Sequence, residues 1–141
     1  MKTVEYGAPI TLEQANSVIK AGIAEAQANG WNMVIAILDS SGHLVALQRM
    51  DNTQYASVDV AQDKAKGAIY FKRPTKVFQD IVAGGGEGLR MLAMRHVCPV
   101  DGGLPLIIDG KIIGAIGVSG AQSHEDGQVA AAAAKAVTAQ D

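Results

Sequence analysis

Cysteine and aromatic residues are scarce in this chain of 141 residues. Cys98 is its single cysteine, so no internal disulfide can form, and one unpaired thiol is typical of a reducing compartment. We therefore expect a cytoplasmic protein. Aromatic residues make up 4% of the chain, whereas glycine and alanine abound, so the core must be built from aliphatic side chains and close backbone approach.

Charge and long apolar runs are limited as well. The formal net charge is -2 with 18% charged residues, which leaves no basic stripe for phosphates, so no nucleic-acid partner is expected. No apolar run approaches the length of a membrane span, and Glu5 and Pro9 interrupt the region where a signal peptide needs an unbroken apolar stretch. These features predict a soluble protein without a membrane partner. The length predicts a single domain over residues 1–141.

The first third of the chain predicts a helix followed by a hairpin. Thr11 and Gln14 have the spacing of a capping box, and apolar residues then recur at helical spacing until Asn29-Gly30 ends the helix. Residues 33–38 and 44–48 are apolar runs on either side of the turn sequence DSSG. The first run is apolar at both parities, so helices are expected on both faces of the sheet.

The middle of the chain predicts two further helices. The first covers about residues 55–71 and cannot extend far, because Pro74 disfavours a helical conformation at the residue before it. Thr75 is expected to cap a short helix that runs to about Ala83.

A break and a second hairpin follow. Residues 84–96 begin with three glycines and are compatible with one or two helical turns or with a loop. Residues 97–100 predict a short strand at a sheet edge, since Pro99 interrupts them. The strongest local signal is GGLPLIIDGKIIGAIGVSG at 102–120, where two apolar strands flank an Asp109-Gly110 turn.

The chain closes on an alanine-rich helix over about residues 128–137, preceded by Ser123 and Asp126 at capping-box spacing. The small side chains of this helix permit close helix contact and favour a homo-oligomer. The order of the elements predicts an α+β fold, with an antiparallel sheet of about five strands and helices on both faces.

Three ordered stretches of the chain resemble the GlcG/HbpS-like family, also called haem-degrading or PduO C-terminal-like. They are VIAILDSSGHLVALQRMD, ASVDVAQDKAKGA and GGLPLIIDGKIIGAIGVSGAQSHED, and the similarity runs from about residue 11 to residue 137. The resemblance implies a profilin-like α-β-α domain that assembles into dimers or larger oligomers. It also implies links to haem binding, to corrinoid-related gene settings and to operons for small organic acids. No axial haem ligand is carried over, because the family's haem-binding branch does not share one.

Glycines at the ends of the second hairpin predict an anion site. Gly102, Gly103, Gly117 and Gly120 are expected to present backbone amides to a carboxylate or phosphate, with the Ser119 hydroxyl beside them. The alternative is that these glycines only allow tight packing or sharp turns, and the sequence leaves both interpretations open.

Arg49 and Asp51 end the first hairpin and match the family's strand-end Arg-x-Asp pattern. A guanidinium at this place is suited to bidentate binding of a carboxylate. If both hairpins belong to one sheet, Arg49 and the glycine amides are predicted to converge on one small organic acid.

Lys64 matches the family's Lys-Ala pair and lies beside apolar residues rather than in a charge run. A partly buried lysine needs an anionic partner, in the protein or in a ligand. Asp59 and Asp63 on the same helix are more typical of a solvated face. Lys64 and His124 are the candidates for proton transfer if the protein is an enzyme.

The three histidines are far apart and lack the spacing of a metal site, so no metal centre is expected. His43 follows a turn and is expected to be exposed and to take no part in ligand binding. His96 and Cys98 lie in the stretch MLAMRHVCP, which is rich in potential iron ligands, and His124 begins the closing helix. His96, Cys98 and His124 are therefore the candidate haem ligands, against the alternative that this stretch is an ordinary loop.

The sequence has no nucleophile elbow, Walker loop or Rossmann fingerprint, so the common enzyme classes that use them are not expected. The observations above leave three possible functions. The first is binding of haem or a related tetrapyrrole. The second is an enzyme or accessory factor that acts on a small organic acid. The third is a structural subunit of a homo-oligomer, in which the glycines and alanines serve assembly alone.

Overall fold

The structure, a computed structural model, describes residues 4–138. It contains five strands, four α-helices and a 3-10 helix in this order: β1 (Glu5–Tyr6), α1 (Leu12–Ala28), β2 (Val34–Asp39), β3 (Leu44–Arg49), α2 (Ala56–Phe71), α3 (Thr75–Ala83), the 3-10 helix (Gly86–Ala93), β4 (Gly103–Ile108), β5 (Lys111–Ser119) and α4 (Ser123–Thr138). None of the helices within this range is both long and apolar enough to cross a membrane.

The strand β5 is the centre of the sheet, because it pairs with β1, β2 and β4, while β3 pairs with β2. The pairings of β5 with β2 and β4, and of β2 with β3, are antiparallel, and the two residues of β1 run parallel to β5. The predicted α+β fold with a mainly antiparallel, five-stranded sheet is confirmed.

The identity of the fifth strand differs from the prediction. Residues 97–100 form no strand, because the Val100 N–H donates to the Cys98 carbonyl at 2.8 Å and closes a tight turn. This segment packs on α2 at Gly67, where an added Cβ would come within 2.8 Å of the His96 carbonyl oxygen. The fifth strand is β1, whose two residues are too few to show a periodic pattern.

Helices cover both faces of the sheet. On one face α1 and α4 pack together over Ile35 and Ile37 of β2. On the other face α2 places Ala61 against Val34 and Ala36. Alternate residues of β2 therefore enter two cores, which confirms the inference drawn from its apolar residues at both parities.

The ends of α1 confirm the predicted caps. The Thr11 hydroxyl accepts a hydrogen bond from the Gln14 N–H at 3.1 Å, and the Gln14 side chain accepts one from the Thr11 N–H at 2.9 Å. Asn29 is the C-cap, and Gly30 follows with a positive φ of 74°. Both ends of this helix are thus set by local side-chain chemistry.

Two other predicted caps are wrong. Thr75 is buried, and its hydroxyl accepts from the Gly103 N–H at 2.9 Å instead of capping α3. The Asp126 carboxylate points into the protein, and at the start of α4 the Gln122 N–H donates to Glu125 at 3.0 Å. In both places a tertiary partner replaced the local one.

The glycine-rich hairpin forms as predicted, with positive φ at Asp109 and Gly110 in its turn. Gly117 lies at the middle of the sheet, where an added Cβ would overlap the Ala61 carbonyl of α2. The absent side chain therefore allows α2 to lie directly on β5.

Candidate functional site

Lys64 is the most deeply buried charged residue that the sequence singled out, with 1% of its surface exposed. Its Nζ donates to the Asp126 carboxylate and to the Val118 carbonyl, each at 2.9 Å. The side chain passes Gly102, where a Cβ would lie 2.9 Å from Nζ. The anionic partner that a buried lysine requires is supplied by the protein itself, and the ion pair joins α2 to α4.

The carboxylate of Asp126 binds to the bend that follows β5, at Gly120 and Ala121. Burial raises the pKa of its carboxyl, although the Lys64 ammonium and the backbone amides of Ala121 and Gly120 act in the opposite direction. One carboxylate oxygen accepts from the Ala121 N–H at 2.9 Å. The bend thus binds a carboxylate, but the carboxylate belongs to the same chain.

The other polar groups of the predicted anion site also have partners within the chain. The Gly103 N–H donates to Thr75, and the Ser119 hydroxyl donates to Ser57 at 3.0 Å. An added Cβ at Gly103 would overlap the Lys64 carbonyl. The alternative interpretation of these glycines, that they allow helices to pack closely on the sheet, therefore accounts for their positions.

Arg49 lies apart from the glycine amides. Arg49 of β3 and Ser119 of β5 both pair with Val34 of the intervening β2, so two strand spacings, about 10 Å, separate them on the same face. The guanidinium lies 5.6 Å from the centre of the exposed Tyr55 ring. The cleft that Arg49 lines contains none of these glycines, so the structure does not show the predicted convergence of Arg49 with the glycine amides.

Arg49 and Asp51 instead line their own cleft, of about 510 Å³, together with residues 52–55. None of the ion pairs between described residues includes Arg49. The cleft thus combines the Arg49 guanidinium, the Asp51 carboxylate and an exposed aromatic ring.

His96 and Cys98 line a second cleft, of about 310 Å³, against Asp63 and Lys66 of α2. The His96 ring stands edge-on to the Tyr70 ring, with 4.8 Å between centroids. Burial raises the pKa of the half-buried Cys98 thiol, more strongly than the nearby Lys64 charge lowers it. The thiol is therefore protonated near neutral pH when no metal is bound, and binding of iron as a thiolate would release this proton.

A third cleft, of about 530 Å³, lies between the β2–β3 turn and α2, and the sequence did not indicate it. His43 is exposed, as predicted, yet it lines this cleft. The other lining residues come from the same turn and from the outer face of α2: Leu38, Gly42, Leu44, Asp59, Gln62, Asp63 and Lys66. Because Asp63 and Lys66 also line the His96 cleft, the two clefts flank one helix face.

His43 is held by hydrogen bonds within its turn. The Ser41 hydroxyl donates to the Asp39 carboxylate at 2.8 Å and lies 2.8 Å from Nδ1 of the His43 ring. The same carboxylate oxygen accepts from the N–H groups of Ser41 and His43 at 2.9 and 3.0 Å. The spacing D-x-S-x-H in the sequence was the available signal, since Asp and Ser favour such turn hydrogen bonds.

The charge of Asp39 follows from these contacts. Burial alone raises the pKa of its carboxyl, but the hydrogen bonds from His43 and Ser41 outweigh that effect and lower the pKa below its usual range. Asp39 is therefore ionised at neutral pH and is the anionic end of the hydrogen-bonded array Asp39–Ser41–His43.

Comparison with known proteins gives the family of this fold. The model of the haem-degrading protein HbpS-like family matches residues 10–135. The chain belongs to the HbpS-like family. This HbpS-like chain is 39% identical over 110 residues to protein GlcG of Escherichia coli K12, an alignment that covers 78% of the chain and 81% of GlcG.

Two solved structures share the fold. Protein ORFY of Klebsiella pneumoniae superposes with a TM-score of 0.84 at 29% identity, covering 96% of this HbpS-like chain and 95% of ORFY. The PduOC:haem complex superposes with a TM-score of 0.82 at 27% identity, covering 92% of the chain and 96% of PduOC.

The groups that would hold a haem at the outer face of α2 in the HbpS-like chain are imidazoles and a lysine, whereas Asp59 and Asp63 line the same clefts and would repel its propionates. His43 and His96 supply imidazoles on its two flanks, and Lys66 supplies a cation to both clefts. Leu44, 52% exposed, adds apolar surface beside His43. His124 is exposed on the first turn of α4 and lines neither of these two clefts. Among residues 4–138, no group of three or more His, Cys, Asp or Glu side chains is arranged to hold a bare metal ion.

Proposed function

We propose that this chain binds haem, or a closely related tetrapyrrole, at the outer face of α2. The observation that carries the proposal is the pair of clefts that flank this face, with imidazoles on both sides and Lys66 between them. Volumes of about 530 and 310 Å³ fall within the range of small-molecule sites, about 300–1,000 Å³. The similarity to the PduOC:haem complex and to the HbpS-like family supports the choice of ligand.

A bound haem would need an axial ligand for its iron and a cation for its propionates. His96, Cys98 and His124 are the axial-ligand candidates from the sequence, and Lys66 is suited to a propionate. A bound haem supplies an iron atom whose properties depend on its axial ligand and on the hydrogen bonds around that ligand. Among the three candidates, His96 and Cys98 line the same cleft, whereas His124 lines neither cleft beside α2.

Titration of the protein with ferric hemin tests the proposal. We expect a saturable Soret shift and a rise in melting temperature, because a ligand at about one hundred times its Kd stabilises the folded state by about 2.7 kcal/mol. His96→Ala, Cys98→Ser and His124→Ala are then compared by spectrum. A linear, non-saturating absorbance change without a rise in melting temperature would show hemin adsorbing to exposed apolar surface and would refute the proposal.

A second candidate function is binding of a small organic acid at the Arg49 cleft. The Arg49 guanidinium beside Tyr55 favours it, since a bidentate fork matches a carboxylate and no ion pair between described residues uses this group, while Asp51 in the same cleft acts against an anion. Neither Lys64 nor His124, the predicted proton-transfer residues, lines this cleft, so binding rather than catalysis is the form we propose.

Arg49→Lys is the variant that tests this candidate. We expect it to weaken carboxylate binding about tenfold or more, because a point charge does not replace the bidentate guanidinium. Binding of glycolate, lactate and acetate is measured by isothermal titration, with Arg73→Lys, just beyond the C-terminal end of α2 and outside this cleft, as the control. Equal affinities in the Arg49→Lys and native proteins would rule the site out.

Assembly and location are also proposals. We retain a homo-oligomer and a cytoplasmic location, without a nucleic-acid or membrane partner. Within the described chain, however, Val129, Ala130 and Ala133 of α4 are buried in the core of the protomer. These small side chains are therefore not available for a contact between subunits. Light scattering at tens of micromolar tests assembly, and a monomeric mass would exclude it.

A further inference from the structure

We propose that the exposed apolar surface of α3 and the 3-10 helix binds the same surface of a second copy of this chain, across a two-fold axis. The inference rests on the homo-oligomer proposed above and names the surface that forms it. Such a contact requires apolar side chains outside the core of the protomer and flanking charges that complement their own copies. Both are present between residues 77 and 100.

Exposed apolar side chains are concentrated in this part of the chain. Among the described residues, six of the eleven large hydrophobic side chains that are exposed lie between residues 77 and 100. Four of these six belong to the two helices and are called here the α3 patch: Val77, Ile81, Leu89 and Leu92, which are 37, 38, 50 and 63% exposed. Single exposed apolar side chains are ordinary, whereas a contiguous set marks an interaction surface.

The four side chains of the α3 patch lie next to one another. Val77 and Ile81 are four residues apart in α3 and share one face of that helix. Leu89 and Leu92 are three residues apart and share one edge of the 3-10 helix, which repeats every three residues. The 3-10 helix meets α3 at Gly88, where an added Cβ would overlap the Ile81 carbonyl. The leucine edge therefore begins beside Ile81, and the two pairs form one surface.

The protomer gives the 3-10 helix little support. None of its eight residues is buried, and the element against which it packs is α3. Its half-buried Gly88 and Met91 lie on the edge that faces α3, which leaves the leucine edge to solvent. Runs of 3-10 helix longer than about four residues are uncommon, because their hydrogen bonds are poorly aligned. A second copy packed on the leucine edge would supply the burial that the protomer does not.

The charges beside the α3 patch fit a second copy of the same chain. Glu87 and Arg90 are exposed and share another edge of the 3-10 helix, and none of the ion pairs between described residues includes either of them. In a two-fold contact Glu87 faces Arg90 of the partner subunit, and the reverse pair forms as well. A partner with charges of one sign would instead place like charges opposite each other, which is unfavourable.

The size of the surface also suits a dimer contact. Each side of a standard protein interface contributes about 20–30 residues. The two helices have nine and eight residues, and residues 84 and 85 join them. The segment is thus close to the lower end of that range. It also offers the apolar side chains that the buried small residues of α4 do not.

Sedimentation velocity of the hemin-free protein over a range of micromolar concentrations tests the contact. We expect a dimer whose dissociation constant rises about tenfold or more in Leu89→Asp and in Leu92→Asp, because each substitution places an unpaired charge in the interface twice. Leu12→Asp is the matched control, since Leu12 is 59% exposed on α1 and lies outside the α3 patch. It should leave the dissociation constant unchanged.

Reversal of the charges tests the two-fold arrangement. Glu87→Arg and Arg90→Glu should each raise the dissociation constant about threefold or more, because each creates two pairs of like charges across the axis. The double variant Glu87→Arg/Arg90→Glu should return it to the native value, since opposite charges then face each other again. A purely structural role of either residue within the protomer predicts no such recovery.

The outcomes separate this contact from assembly in general. A native dimer that both leucine variants leave intact would overturn the α3 patch as the interface and leave the homo-oligomer standing, and so would equal weakening by Leu12→Asp. Weakening by both single charge variants without recovery in the double variant would overturn the two-fold arrangement. A native protein that is monomeric at every concentration would refute assembly itself. Unchanged circular dichroism spectra confirm that each variant folds.

Discussion

Lys64→Met is expected to lower the free energy of unfolding by about 3–5 kcal/mol at pH 7, as is typical when one partner of a buried ion pair is removed. The substitution leaves the Asp126 carboxylate, 4% exposed, without the ammonium that lies 2.9 Å from it. The two backbone amides that also bind the carboxylate do not replace a full charge. Urea denaturation monitored by circular dichroism measures the change, with an unchanged m-value required for the comparison.

The loss should depend on pH in a definite direction. Without Lys64 the buried Asp126 carboxyl takes up a proton in the folded state, whereas the unfolded chain ionises near the ordinary value of 3.8. The folded state then binds more protons, so stability is present below the unfolded pKa and is lost as pH rises, by about 1.4 kcal/mol per unit. The loss caused by Lys64→Met should therefore be larger at pH 7 than at pH 4, and the dependence on pH should be steeper than in the native protein.

Lys76→Met is the matched control for Lys64→Met. Lys76 also forms an ion pair, 2.8 Å from Asp80, but both side chains are more than half exposed. Such a surface pair contributes about 0–1 kcal/mol. Equal effects at the two lysines, or no dependence of the Lys64→Met loss on pH, would contradict the role of the buried pair.

Gly117→Ala is expected to destabilise the protein by about 3 kcal/mol or more, at the upper end for overpacking. Its Cβ would overlap the Ala61 carbonyl and lie 2.7 Å from the Ala65 nitrogen, both on the backbone of α2. A backbone in a helix that is packed on a sheet cannot move as the end of a flexible side chain does. The midpoint of urea unfolding measures the effect.

Gly84→Ala is the control for this substitution. Gly84 has an α-helical φ of -72°, and an added Cβ would make ordinary contacts, at 3.5 and 3.7 Å, with carbonyl oxygens of α3. The change should be neutral or stabilise by about 0.4–1 kcal/mol, through the unfolded state. Similar losses at Gly84 and Gly117 would show that close packing of α2 on β5 is not the cause.

Haem and small carboxylates remain the two ligand classes proposed for this chain, and they use different surfaces. The imidazole-flanked face of α2 is defined by Lys66 and Asp63, while the Arg49 cleft is built from the residues between β3 and α2. Variants at one surface therefore serve as controls for the other.

Elements marked by local chemistry were predictable. The capping box of Thr11 and Gln14, the Asp109-Gly110 turn and the parity of β2 act through neighbours in the sequence, and each was confirmed. The caps predicted at Thr75 and Ser123 failed, because the side chains involved have stronger partners from distant elements.

The candidate site shows the same division. Sequence spacing suggested that Lys64 needs an anion, but it did not distinguish a protein carboxylate from a ligand. The glycines predicted backbone amides that bind an anion, and the amides at Gly120 and Ala121 bind the Asp126 carboxylate of the same chain. The sequence predicts that His43 is exposed and takes no part in ligand binding. Exposure alone, however, does not reveal that its ring is hydrogen-bonded to Ser41 or that it lines a cleft.

Periodicity, caps and turn residues were sufficient for the helices, the two hairpins and a sheet covered on both faces, because each depends on interactions within a few residues or on a repeating apolar pattern. The three-dimensional packing was required for the partner of Lys64, the separation of Arg49 from the glycine amides and the clefts around α2. Those features depend on which distant segments meet, and that is set by close contacts such as Gly117 with Ala61 and Gly67 with His96. Such contacts join positions that have no spacing relation in the chain.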